Sequence, residues 1–120
     1  MLAYKKRVLL AALNDFNGMR QEFQSTGIPA QTIQKEEINK GNHTYRAFIS
    51  SEYQSDLEDK EIINFYESRL ISSGWKKVEN KDSRVSFCKS DIQATLGIQS
   101  KNYFFGMVID HSPFRKFSCL

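Results

Sequence analysis

The chain has 120 residues, 40% hydrophobic and 26% charged, with nine Phe, five Tyr and one Trp. A single domain of this size buries roughly two thirds of the surface its unfolded form exposes, so a core forms without staples. Two prolines and six glycines exclude a disordered or low-complexity chain, and a net charge of +3 is too small to imply nucleic acid on its own.

Charge is distributed unevenly. Residues 1 to 20 carry four basic groups against one acid and residues 101 to 120 carry three against one, which leaves the middle of the chain net acidic. Lys5-Lys6-Arg7 followed by an apolar run resembles the opening of an export signal, but that run ends after six residues at Asn14-Asp15. A signal core needs about 7 to 15 apolar residues, and a membrane span about 20. The expectation is a soluble, cytoplasmic chain with no stable membrane span.

Leu9, Leu13, Phe16, Met19 and Phe23 recur at helical spacing, predicting an amphipathic helix over about residues 4 to 24 that Gly27 and Pro29 end. Its basic start also suits a helix lying on a membrane surface. A weak strand is predicted from Thr32 to Ile38, a hairpin loop at Asn39-Lys40-Gly41-Asn42, and a return strand from His43 to Ser51. Ser55 and Glu58 stand at capping-box spacing before a central helix over about 56–73. Gly74 supplies its left-handed stop, and Trp75 folds back onto the apolar stripe of Ile62, Phe65, Tyr66 and Leu70.

Beyond the helix, Trp75 to Glu79 reads as extended and Asn80 to Ser83 as a polar turn. Val85 and Phe87 alternate with Ser86 and Cys88. After Ser90-Asp91, residues Ile92, Ala94, Leu96 and Ile98 face one way and Gln93, Thr95, Gly97 and Gln99 the other. Ser100-Lys101-Asn102 turns into a last strand, Tyr103 to Asp110, which Pro113 closes. The order of helix, two strands, helix and four strands predicts a single α+β domain over residues 1–120. Its antiparallel sheet has about five to six strands, with both helices packed on one face.

The residues offer no catalytic constellation. The glycines occur singly, with none of the runs that cradle phosphates, and His43 and His111 lack a second metal ligand at helical or hairpin spacing. Cys88, His111 and Asp110 make the best nucleophilic set. Neighbours on a strand point to opposite faces, however, so Asp110 cannot orient His111. Glu61 and Glu67 are explained as solvated helix charges. Tyr45, Phe48, Tyr103, Phe104 and Phe105 with Arg46, Lys101, Arg115 and Lys116 supply nucleic-acid-binding material, which the central acidic cluster opposes. Asn42-His43-Thr44 fits a glycosylation sequon, relevant only in a secreted eukaryotic chain. Cys88 and Cys119 match no zinc, thioredoxin-like or haem spacing. Cys88 reads as a small core residue, and two cysteines are too few for a secreted disulfide framework. The expectation is a protein that is not an enzyme, with no cofactor and no metal.

One concentrated patch of charge remains. Glu52, Asp56, Glu58, Asp59 and Glu61 gather around the start of the central helix, interrupted only by Lys60. Acids there favour the positive end of the helix dipole, and they also suit docking of a basic partner.

The run Glu61-Ile-Ile-Asn-Phe-Tyr-Glu-Ser-Arg-Leu to Gly74-Trp75, followed by Phe87-Cys88-Lys89-Ser90, Ala94-Thr95-Leu96 and Tyr103-Phe104, resembles small bacterial domains in which a helix ending in Gly-Trp leads into a hairpin array. Such domains occur among lipoprotein-like proteins and among immunity proteins of contact-dependent growth inhibition toxins. The resemblance implies a non-catalytic protein-binding module. Its partner is then a basic toxin domain, a nuclease being one case, contacted through Glu52, Asp56, Glu58, Asp59 and Glu61. The alternative is a membrane- or envelope-associated domain anchored by its basic N-terminal helix.

Overall fold

In the computed structural model, residues 16–35, 39–42, 46–81 and 84–110 are described. Leu9, Leu13, His43, Tyr45, His111 and the basic segments 5–7 and 115–116 lie outside them. The first helix, α1, is described over residues 16–26. Its expected stripe is used: Met19 and Phe23 are buried, and the Phe23 ring stacks on Phe105 with centroids 5.6 Å apart. Gly27 then adopts φ 74°, the left-handed conformation that glycine reaches at least cost.

Seven strands follow among the described residues, one more than expected at most: β1 (Thr32–Gln34), β2 (Asn39–Asn42), β3 (Arg46–Ser55), β4 (Lys76–Lys81), β5 (Arg84–Lys89), β6 (Ile92–Gln99) and β7 (Asn102–Asp110). The second helix, α2, spans Asp59–Ser72 between β3 and β4. All pairings are antiparallel, in the order β1-β3-β7-β6-β5-β4, with β2 also pairing β3. The fold is therefore α+β with a single antiparallel sheet.

The extra strand comes from a split. β1 ends with Gln34 opposite Tyr53 and β2 begins with Asn39 opposite Ser50, so four residues of one chain segment face two of the other. The expected loop at Asn39 to Asn42 is instead this second half-strand. Gly41 supplies no positive φ there. It makes room for the ring of Phe48, its cross-strand partner, which a β-carbon at position 41 would meet at 2.5 Å.

α2 begins three residues later than expected. Ser55 closes β3 opposite Thr32, whose hydroxyl donates to the Ser55 hydroxyl at 2.8 Å. With the strand extended that far, the reciprocal capping box passes to Glu58 as N-cap and Glu61 as its partner, the same spacing repeated one turn on. The C-terminus follows the expectation in full. Gly74 has φ 95°, its N–H donates to the Ile71 carbonyl at 3.1 Å, and the Trp75 N–H donates to Leu70 at 2.9 Å, the two bonds of a Schellman motif.

This helix carries the chain from β3 to the far edge of the sheet. Fourteen residues rise about 21 Å, and four strand spacings from β3 to β4 amount to about 19 Å. β4, β5, β6 and β7 then return as a meander, and β7 closes onto β3. The turns are tight: Lys89 pairs with Ile92 and Gln99 with Asn102, leaving Ser90-Asp91 and Ser100-Lys101 as two-residue loops. Ser100 and Lys101 both hold positive φ, 43° and 64°, the type I′ pattern.

Both helices pack on one face. Ile62, Tyr66, Leu70 and Trp75 are buried as expected, against Ile49, Tyr53, Leu96, Tyr103 and Phe105, while Phe65 is half-buried beneath the Arg69 guanidinium, 4.7 Å from its ring centroid. Tyr66 lies at the centre. Its ring stacks on Phe105 at 4.4 Å and its hydroxyl meets that of Tyr103 at 2.9 Å. Burial raises the pKa values of Tyr66 and Tyr53 and pushes that of Tyr103 up to about 12. At the other end of the layer Glu22 of α1 accepts from Lys89 Nζ at 2.6 Å and from the Trp75 indole N–H at 3.3 Å. Lys89 also donates to the Ser73 carbonyl at 2.8 Å, tying α1, the end of α2 and β5 together.

Candidate functional site: the acidic helix start and the outer sheet face

The five sequence-predicted contact residues divide between two sides of the molecule. Asp56, Glu58, Asp59 and Glu61 are exposed and lie close together around the start of α2. Glu52 is exposed on the opposite face of the sheet, because strand alternation sends it outward where Ser51 and Tyr53 point to the core. Glu58 and Glu61 are engaged in the capping box, whereas Asp56 and Asp59 carry no structural bond of their own side chains among the described residues. None of the five takes part in an ion pair among the described residues; the three ion pairs there use Glu22, Glu67 and Glu79.

The outer face carries no described helix. Its composition follows from register. Arg84, Gly97, Phe104 and Glu52 are successive cross-strand partners and form one row across four strands. The next row toward β2 is small throughout: Ser86, Thr95, Gly106 and Ser50. Beyond it lie Cys88, Gln93, Val108 and Phe48. Large rings on either side of a row of small residues leave a trough of ≈ 250 Å³ floored by Ser50, Thr95 and Gly106 and walled by Phe48 and Phe104. A β-carbon at Gly106 would stand 2.7 Å from the Ser50 β-carbon, so the floor admits no side chain there.

A second cleft, ≈ 380 Å³, opens at the other side of Phe104, among Lys35, Glu52, Arg84, Gly97 and Asn102. The Phe104 ring lies over Gly97, where a β-carbon would meet it at 2.2 Å, and the side chain is still 37% exposed. Arg84 and Glu52 flank it in the same row without an ion-pair partner among the described residues. An exposed aromatic ring beside a guanidinium and a carboxylate is suited to holding a polypeptide, since aromatic and arginine side chains supply much of the energy at protein interfaces. Sequence periodicity set Gly97 on the face of β6 shared with Gln93, Thr95 and Gln99. It could not align strands separated by the helix, so Arg84 and Phe104 were not brought together with Glu52.

The sheet edges are ill suited to that task. β4 is exposed along its length, carries Lys76, Lys77 and Lys81, and is bulged between Lys77 and Glu79. The opposite edge is broken between β1 and β2. Lysines and bulges are what keep an edge from accepting a further strand.

Two other sequence expectations meet the structure here. Cys88 is buried, as expected of a strand cysteine, but it is disulfide-bonded and is not a free thiol. It therefore cannot serve as a thiolate nucleophile in that state. No helix among the described residues is long and apolar enough to cross a membrane, and the described part of α1 spends its apolar stripe on the core.

Comparison with protein-family models, with curated proteins and with solved structures returned no match.

Proposed function

We propose that the chain is a non-catalytic protein-binding module, and that it acts as an immunity protein by docking on a basic toxin domain. The observation that carries the reading is the group of exposed carboxylates at the start of α2, Asp56, Glu58, Asp59 and Glu61, none of them paired with a described cation. Such a surface speeds encounter with a positively charged partner and matches the substrate channel of a nuclease. The resemblance of the Glu61 to Trp75 segment and the strands after it to small immunity domains supports the same reading.

Glu58 also caps α2, so reversing its charge would disturb the fold along with the surface. The cleaner variant is Asp56→Lys with Asp59→Lys, which keeps the capping box. If a toxin domain is encoded beside this chain, calorimetric titration against it should show affinity at least tenfold weaker for that variant. Unchanged affinity removes the acidic surface from the interface, and no binding by the unaltered chain removes the immunity reading.

A second reading is favoured by one observation, the disulfide at Cys88. Disulfides persist in oxidising compartments and are rare where glutathione and thioredoxin keep thiols reduced. On this reading the chain is an envelope-associated domain, and the expected cytoplasmic placement gives way. Cell fractionation, together with liposome binding by a peptide of residues 1 to 25, separates the two.

A further inference from the structure

We propose that the cleft beside Phe104 binds an acidic segment of a partner polypeptide, with one of its aromatic side chains against the Phe104 ring and its carboxylates on Lys35 and Arg84. This site does not depend on the acids at the start of α2, which lie on the other side of the molecule and are opposite in sign.

Register extends the row by one strand. The Lys35 N–H donates to the Glu52 carbonyl at 2.9 Å, continuing the pairing of β1 with β3, so Lys35, Glu52, Phe104, Gly97 and Arg84 cross the outer face in order. The Lys35 side chain reaches back over β3, and its Nζ donates to Asn102 Oδ1 at 3.4 Å. An ammonium therefore stands at the Asn102 side of the ring, and Arg84 stands beyond Gly97 at the other. Neither cation has an ion-pair partner among the described residues.

Phe104 is held in the open between them. It is the one aromatic residue among the exposed large hydrophobic side chains of the described residues. Its ring takes the space that a side chain at Gly97 would fill, so its placement depends on that glycine.

The charges select the occupant. Two cations against Glu52 favour an anion, which sets this partner apart from the basic one drawn to α2. A nucleic-acid strand is anionic too, but its phosphates recur at every nucleotide and would be carried past Glu52, the neighbour of Phe104 in the row. A polypeptide can instead set carboxylates at Lys35 and Arg84 and a backbone N–H at Glu52. The cleft, ≈ 380 Å³, has room for a large side chain from it, and an aromatic one gains most from the exposed ring.

The probe is a capped pentapeptide, Asp-Glu-Phe-Asp-Glu, titrated to millimolar concentration into the isotope-labelled full chain and followed by amide NMR. The amides of Gly97, Gln99, Asn102 and Phe104 should shift saturably. Arg84→Gln, which removes a cation, and Gly97→Ala, which displaces the ring and leaves the charge alone, should each weaken binding at least tenfold. Urea unfolding followed by Trp75 fluorescence confirms that both variants are folded. Asp56→Lys with Asp59→Lys should bind the peptide as the unaltered chain does, which separates this site from the acidic surface. Absence of saturable shifts, equal affinity for Asp-Glu-Ala-Asp-Glu, or tighter binding of a single-stranded oligothymidylate overturns the proposal.

Discussion

Replacing Tyr66 with Phe isolates a single hydroxyl at the centre of the core. The ring is fully buried, stacked on Phe105 at 4.4 Å and set edge-on to Phe65 and Tyr103. Phenylalanine keeps all of that contact and loses only the 2.9 Å bond to the Tyr103 hydroxyl. The loss of this one bond should be about 1 kcal/mol. For a chain of this length that corresponds to about 4 °C in Tm. The pH dependence is the sharper measurement. The folded chain holds the pKa of Tyr66, Tyr103 and Tyr53 above the ordinary value of 10.0. Their contribution to stability is therefore complete below pH of about 10 and is lost as pH rises toward the folded values, by up to about 1.4 kcal/mol per pH unit for each tyrosine. Tyr66→Phe removes one of three such groups, so the alkaline loss of stability should become roughly one third shallower. Urea titrations at pH 8, 10 and 11, followed by the fluorescence of the single tryptophan, give both quantities. A loss above about 3 kcal/mol at pH 8, the range of a cavity, or an alkaline slope equal to that of the unaltered chain, would refute the account.

The turn between β6 and β7 should be improvable. Lys101 holds φ 64° where a type I′ turn favours glycine, so Lys101→Gly is expected to raise stability by about 1 kcal/mol, read as a higher urea midpoint; a lower midpoint would show that the lysine is not strained. Glu22→Gln removes the carboxylate that joins Lys89 and Trp75. The side chains of the ion pair are 36% and 26% exposed, so solvent screens it and the expected loss is on the order of 1 kcal/mol. Because Trp75 donates to the same group, its emission should shift as well, and an unchanged spectrum with unchanged stability would mean that α1 is held by apolar contacts alone.

Local signals in the sequence carried most of the architecture. The Gly74-Trp75 stop of α2, the inward set of Ile92, Ala94, Leu96 and Ile98, and the stripe of Met19 and Phe23 each depend on neighbours within a turn or two, and each appears as read. What failed locally failed for a reason that was not local. Ser55 has the chemistry of an N-cap, but pairing with Thr32, distant in sequence, keeps it in the strand, and Glu58 takes over with the next residue at the right spacing. Gly41 and Gly97 looked like permissive turn or strand glycines, and their role became visible only with Phe48 and Phe104 lying across them. The candidate site was legible only in part. The acids at the helix start fall within one short segment and were read together, whereas the row of Arg84, Phe104 and Glu52 is assembled by registers that no single segment encodes.

The pairing of β3 with β7 joins residues 46–54 to residues 102–110. On the ribosome, then, β3 emerges, is followed by α2, and has no partner on that side until the ninth residue from the end of β7 has been made. The aromatic layer around Tyr66 is incomplete for the same interval, because Tyr103 and Phe105 belong to β7. The meander from β4 to β6 can form as it is synthesised, each hairpin closing over two residues or so. Its docking onto β3 cannot, and so most of the chain waits on its last strand for a core.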